Sequence, residues 1–324
     1  MKKTIFIFLI VFLLIAGWSG GWFFVADKMA VVIADTKTRL ADRGQTITCT
    51  NQEIGGFPFR LNLNCSQTGY DNARTGITLK AGALRSAAQA YQPNKVIAEL
   101  DGPANIILPD GRSIDTQWKS MRTSAKVGLG GPDRFSVSGQ DLSVDVLGRA
   151  DESLDMSQFQ LHGRKVDENS VDLSSTMREV VSRGDLWPQF SLNTTIRFDD
   201  IYSDLVRQPN LIRIGREKGL RGNITNLVYE LSGGGSVTAT GPIEVDRAGI
   251  LTAQLSINAK DLPKLIEALN KVIPGKEKEF SQAQSAAQFL SKATADGSIT
   301  IPISVKQGRV AIGIIPIGEV PKLY

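Results

Sequence analysis

The chain opens on an apolar block, passes into helical periodicity and then settles into strand-like alternation. Lys2 and Lys3 precede about 23 consecutive uncharged residues, 4–26, before Asp27 and Lys28 end the block. From 27 to 43, Met29, Val32, Ile33, Thr36 and Leu40 recur at spacings of three and four with charges between them. That spacing predicts a helix, continuing the first or turning off it, with Gly44 as its stop. Segments 46–49 and 59–65 then alternate strictly around Gly55, Gly56 and Pro58. They predict a hairpin in which Cys49 and Cys65 face each other across paired strands. Further alternation at 76–84, 95–100, 104–108, 114–118, 135–146, 154–162, 190–198, 223–231, 236–245, 250–258, 298–305 and 309–314 predicts many short, mainly antiparallel strands. Two helices interrupt them near the end. Segment 261–272, capped by Asp261, carries Leu262, Leu265, Ile266 and Leu269 on one face, and 276–292 carries Phe280, Ala283, Ala287 and Leu290.

The fold class predicted is α+β, mainly β: a large curved antiparallel sheet, or sheets, with a C-terminal helical hairpin, preceded by one N-terminal transmembrane helix. Residues 1–26 form a cytoplasmic tail and signal anchor, 27–44 a juxtamembrane helix, and 45–324 a β-rich domain. The partial repeat of Gly102-Pro103 in Gly241-Pro242, each before a strand, suggests two similar β-units within it.

The apolar block is long enough to cross a bilayer, whereas the core of a cleaved signal peptide runs about 7–15 residues. A cleavage region among Ala16, Gly17, Ser19 and Gly20 is the alternative, but Trp18 interrupts it and apolar residues resume at Trp22. Retention is the better reading. The two lysines keep the short tail in the cytoplasm, so the remainder is exported, and the clustered Trp18, Trp22, Phe23 and Phe24 suit the far interface. Localisation to a bacterial inner membrane, N-terminus inside and C-terminal domain in the periplasm, follows as an expectation.

Composition adds limits. Apolar residues at 42% and charged residues at 22% describe a chain able to bury a core. A net charge of +4 gives no case for nucleic-acid binding. The two cysteines, Cys49 and Cys65, are read as a disulfide in an oxidising compartment, with two free thiols as the alternative.

Candidate chemistry is sparse. His162 is the only histidine, at the end of an alternating strand. A hydrolase would need it to meet a serine and a carboxylate in a pocket. The carboxylates at Asp145, Asp151, Glu152 and Asp155, and at Asp167, Glu168 and Asp172, lack calcium-loop spacing and read as solvated turns. Gly233-Gly234-Gly235 lacks the Lys-Ser/Thr of a phosphate loop. No catalytic, cofactor or metal residues are assigned, and the protein is expected not to be an enzyme. An apolar sheet face could instead line a trough, with Ile106, Leu108, Leu255, Ile257, Ile301 and Ile303 as candidates.

The stretch from Cys49 through Gly55-Gly56-Phe57-Pro58-Phe59-Arg60 to Cys65 resembles the hallmark of an uncharacterised Gram-negative family, domain of unknown function 2125. The ending, Asp296 to Ile303 and then Gln307 to Gly318, is similar to that family's ending. The resemblance marks Gly56, Phe57, Pro58, Phe59 and Arg60 as a family motif and implies a membrane-anchored periplasmic protein, distantly like the AsmA-type envelope proteins implicated in lipid homeostasis. The expected function is non-enzymatic binding or shielding of lipid or another apolar ligand in a sheet groove. An interaction module docking an envelope protein partner is the alternative. Membrane lipids are the expected partners.

Overall fold

The computed structural model describes residues 2–324 except 129, 150–151, 185–186, 209, 273–274, 276, 291, 294–297 and 314. The chain is mainly β, and the strand pairings described below are antiparallel. It divides into two compact units, Met1–Val127 and Gly128–Tyr324.

The first unit begins with one unbroken helix, α1 (Lys2–Ala41), so the apolar block and the amphipathic segment form a single rod. Its first half is long and apolar enough to cross a membrane. The helix ends in a turn closed by Gly44 at φ +72°, a conformation that favours glycine.

Ten strands follow: β1 (Gln45–Thr50), β2 (Glu53–Gly55), β3 (Arg60–Cys65), β4 (Gln67–Asn72), β5 (Ile77–Ala81), β6 (Leu84–Gln89), β7 (Gln92–Leu100), β8 (Ala104–Ile107), β9 (Ser113–Gln117) and β10 (Ser120–Gly128). The pairings join them two by two. β1 and β2 lie against β4 and β3, β4 and β3 against β5 and β6, β5 and β6 against β8 and β7, and these against β9 and β10. The ten are therefore five long strands in a meander. Four bend, at Ser66, Gly82, Gly102 and Lys119, and the first breaks at Asn51 and Gln52. Neighbouring bends touch: the Ser66 amide donates to the Thr50 carbonyl at 2.8 Å and the Gly82 amide to that of Asp101 at 3.1 Å.

Cys49 and Cys65 are bonded, with their Cα atoms 5.1 Å apart. The predicted cross-strand pairing needs correcting. Cys49 stands in register with Thr68, so the bridge joins diagonal positions and spans the bend at Ser66.

The second unit is a sequential meander. Its strands are β11 (Gly131–Val146), β12 (Leu154–Lys165), β13 (Val171–Ser182), β14 (Phe190–Asp199), β15 (Leu220–Leu231), β16 (Ser236–Val245) and β17 (Leu251–Lys260), each paired with the next. Helices α2 (Tyr202–Arg207) and α3 (Leu211–Lys218) interrupt it between β14 and β15. Helices α4 (Leu262–Val272) and α5 (Glu277–Leu290), then β18 (Lys292–Ala293), intervene before β19 (Ile299–Lys306), β20 (Arg309–Ile312) and β21 (Ile315–Glu319). β19 returns to β17.

The main core of this unit lies under α2 and α3, where Val171, Phe198, Ile201, Tyr202, Ile214, Leu220 and Val245 are buried together. The second helical pair forms the expected hairpin, α4 packing on α5 and α5 on β19 to β21. Leu265 is its buried anchor. The side chains of Ala283, Ala287 and Leu290, and the positions Lys276, Asp296, Gly297 and Ile314, lie outside the described residues. The two Gly-Pro steps differ in setting: Gly102-Pro103 stands at a bend, whereas Gly241-Pro242 lies inside the unbroken β16.

Candidate functional site

Two features of the first unit converge on α1. The lower feature is the Gly56–Arg60 turn between β2 and β3. Gly56 adopts φ +101°, and a Cβ there would come within 2.8 Å of the Arg60 carbonyl oxygen, so this tight turn requires glycine. The turn then forms a socket for the helix. Trp18 Nε1 donates to the Pro58 carbonyl at 3.0 Å and Trp22 Nε1 to the Arg60 carbonyl at 2.7 Å. The Phe57 ring stacks on Phe23 at 5.6 Å and meets Trp22 edge-on at 5.5 Å. Trp22, Ala26 and Leu61 are buried together, with Met29, Ile54 and Ala90 packed against them. Every residue of the Gly56–Arg60 motif except Phe59 thus contributes a side chain, a carbonyl or a backbone conformation to this helix contact, and Phe59 projects outward.

The upper feature is an apolar groove of about 400 Å³ between the next turns of α1 and the sheet. Val32, Ile33 and Thr36 form the helix side; Ile47, Leu63, Leu79, Leu84, Leu100 and the Cys49–Cys65 bridge form much of the sheet side. This volume falls in the range, about 300–1,000 Å³, that small-molecule sites occupy. The bends bring Leu63 and Cys65 of one strand together with Leu79 and Leu84 of the next, although Leu79 and Leu84 flank a bend.

None of the trough residues expected from alternation lines this groove. Ile301 is buried in the second unit with Ile312, and Ile303 packs against that pair. Leu255 and Ile257 stand opposite Ile303 and Ile301 in the β17–β19 ladder. Ile106 and Leu108 belong to the first unit but to other surfaces. Alternation identifies a packed face without saying which element covers it, and here α1 covers a different one.

A second cavity of about 770 Å³ shares Thr48, Thr68, Gly69, Tyr70 and Leu79 with the groove's wall. Its lining is mixed, with Leu79, Ala81 and Pro103 beside Asp71, Thr78, Lys80, Asn105 and Asp115. Its polar groups bond one another: Thr78 donates to Asp71 at 2.8 Å and Asn105 to Asp115 at 2.6 Å.

His162 does not end its strand as the sequence suggested, since β12 runs on to Lys165. It is half-buried within β12, and its Nδ1 lies 2.8 Å from the Ser136 hydroxyl. The ladder continues through Ser174 to Thr195, whose hydroxyls are 3.0 Å apart. The histidine meets a serine in a row of cross-strand hydroxyls. Of the carboxylates, Asp167 and Glu168 stand in an exposed turn as expected, whereas Asp145, Asp155 and Asp172 lie on strands and pair with arginines. Asp172 is held by Arg197 at 2.8 Å and Arg164 at 2.9 Å, Asp145 and Asp155 by Arg183, and Glu152 by Arg149. The Asp167 carboxylate accepts from the Asn169 and Ser170 amides, and Asp151 lies outside the described residues. The Arg197 and Arg164 guanidiniums hold the Asp172 carboxyl below the ordinary aspartate value, as Arg183 does for Asp155. Among the described residues, no group of three His, Cys, Asp or Glu side chains could hold a metal ion.

A family model described as "Uncharacterized protein conserved in bacteria (DUF2125)" matches residues 22–321. The chain belongs to the DUF2125 family. The match begins at Trp22, so it takes in the Trp22 side of the socket contact, the groove and both meanders of this DUF2125 protein. Neither the curated proteins nor the solved structures gave a match.

Proposed function

We propose that this DUF2125 protein is anchored in the inner membrane by α1 and holds a lipid acyl chain, or a ligand of similar apolar character, in the groove beside that helix on the periplasmic side. The groove itself carries the reading. It is a cavity with an almost wholly apolar lining, built jointly by the sheet and by the same rod whose first half is suited to a bilayer. Ile33 lies 11 residues past Trp22 on α1, roughly 16 Å along the helix, so a ligand there sits above the lipid surface rather than within it. The disulfide in its wall fits an oxidising compartment. No covalent chemistry is required: the work is desolvation of an apolar chain, at about 25 cal/mol per Å² removed from water.

Full-length protein purified in detergent, then examined by native mass spectrometry and lipid extraction, tests the reading. The expected result is a stoichiometric apolar adduct. Repeated recovery without one, together with membrane crosslinking to a stoichiometric protein partner, would replace lipid binding with a docking role.

A further inference from the structure

We propose that the first unit stands on the membrane through an aromatic tip formed by Phe57, Phe59 and Tyr91, with the occupant of that surface being the interface of the bilayer α1 crosses. The inference rests on the anchored reading of α1 and adds a second membrane contact to it.

Successive turns of a meander alternate between its two ends. At one end lie the β2–β3 turn, with Phe57 and Phe59, and the β6–β7 turn, with Tyr91. They adjoin, since the Ala90 amide donates to the Phe59 carbonyl at 2.9 Å. Phe59 is 64% exposed and Tyr91 68%, a large aromatic surface on these two turns. At the other end lie the β4–β5 turn, with Arg74 and Thr75, and the β8–β9 turn, with Asp110 and Arg112. Those turns also adjoin, Gly76 lying against Pro109. One end is aromatic and the other is polar and charged.

The helix fixes which end faces lipid. Trp18 and Trp22 bond to the carbonyls of Pro58 and Arg60 at the aromatic end, whereas Gly44, just past the helix, accepts from the Ala73 amide at the polar end. Trp22 lies 18 residues along α1 from Thr4, about 27 Å at the helical rise, against a hydrocarbon core of about 30 Å. The socket therefore sits at the depth where the helix leaves the bilayer, and aromatic rings favour that depth. Phe59, on the socket turn, and Tyr91, on the turn beside it, are exposed, and Arg60, exposed with them, suits phosphate headgroups.

Nitroxide labels on single added cysteines test this, since both native cysteines are bonded. Full-length Phe59→Cys, Tyr91→Cys, Thr75→Cys and Leu13→Cys proteins are labelled in liposomes of phosphatidylethanolamine and phosphatidylglycerol. Collision with oxygen is compared with collision with a water-soluble nickel chelate. The expected order is Leu13 deep in the bilayer, positions 59 and 91 at the interface with the chelate strongly reduced, and Thr75 fully aqueous. Labels at 59 and 91 as accessible to the chelate as Thr75, with Leu13 deep, overturn the aromatic tip and leave the anchor standing. A Leu13 label that is itself aqueous removes the anchor and the tip together.

Discussion

The indole nitrogen of Trp22 donates to the main-chain carbonyl of Arg60 at 2.7 Å, joining the end of the apolar half of α1 to the motif turn. The indole is buried, so the bond and the packing are separable contributions. Trp22→Phe keeps most of the ring and loses the donor, an expected loss of about 1 kcal/mol. Trp22→Ala also opens a cavity between helix and sheet and should lose about 3–5 kcal/mol. Thermal unfolding followed by circular dichroism in detergent separates the two. Equal stability in all three proteins would show that the socket does not bear on folding.

The Cys49–Cys65 bridge closes a 16-residue separation across a strand bend. A loop of that size stabilises by about 3 kcal/mol in the chain-entropy model. Cys49→Ser and Cys65→Ser should each lose a similar amount in denaturant unfolding, and the double variant little more, because either change removes the same bond. Additive losses would mean that each thiol contributes on its own.

Strand alternation made much of the fold legible before any coordinates. The pattern at 236–245 coincides with β16, and that at 190–198 lies within β14, because each strand packs one face and wets the other. β13 escaped because Ser174, Ser175 and Thr176 place polar side chains on both faces at its centre. α2 and α3 are too short for a 3.6-residue period to register, although Asn210 caps α3 by accepting from the Arg213 amide at 2.9 Å. The groove was hidden for a different reason. Periodicity shows that Leu63, Leu79 and Leu84 face inward somewhere, but not that bends at Ser66 and Gly82 bring them under one helix. The Gly56–Arg60 turn was visible as a motif, while its role as a helix socket depends on carbonyl oxygens, which have no sequence signature.

Acid should weaken the second unit through Asp172. The carboxyl is mostly buried and its folded-state pKa is lowered by hydrogen bonds from Arg197 and then Arg164. The unfolded chain therefore takes up the proton first as pH falls. The stabilisation is complete above the ordinary aspartate value of 3.8 and fades as pH drops through the lower folded value. Asp172→Asn should cost about 1–2 kcal/mol at neutral pH, between the figures for exposed pairs and for buried charged hydrogen bonds. It should also flatten the acid limb of stability against pH, measured by denaturant unfolding from neutral pH down to about 3. An unchanged acid limb would place the acid sensitivity elsewhere, with Asp155 and Arg183 the next pair to test.

Filling the groove should abolish apolar binding without unfolding the protein. Ile33 lines it from the helix side and is only partly buried, so an indole at this position can grow into open space instead of a packed core. Val31 lies on the same turn, is 47% exposed and does not line the groove. Ile33→Trp should lose the stoichiometric adduct in native mass spectra, whereas Val31→Trp should retain it, both with circular dichroism and thermal unfolding near those of the parent. The paired comparison also separates groove binding from lipid carried on the outside of α1, which both variants share. An adduct that survives Ile33→Trp would belong to the helix surface, and the groove would lose its assigned occupant.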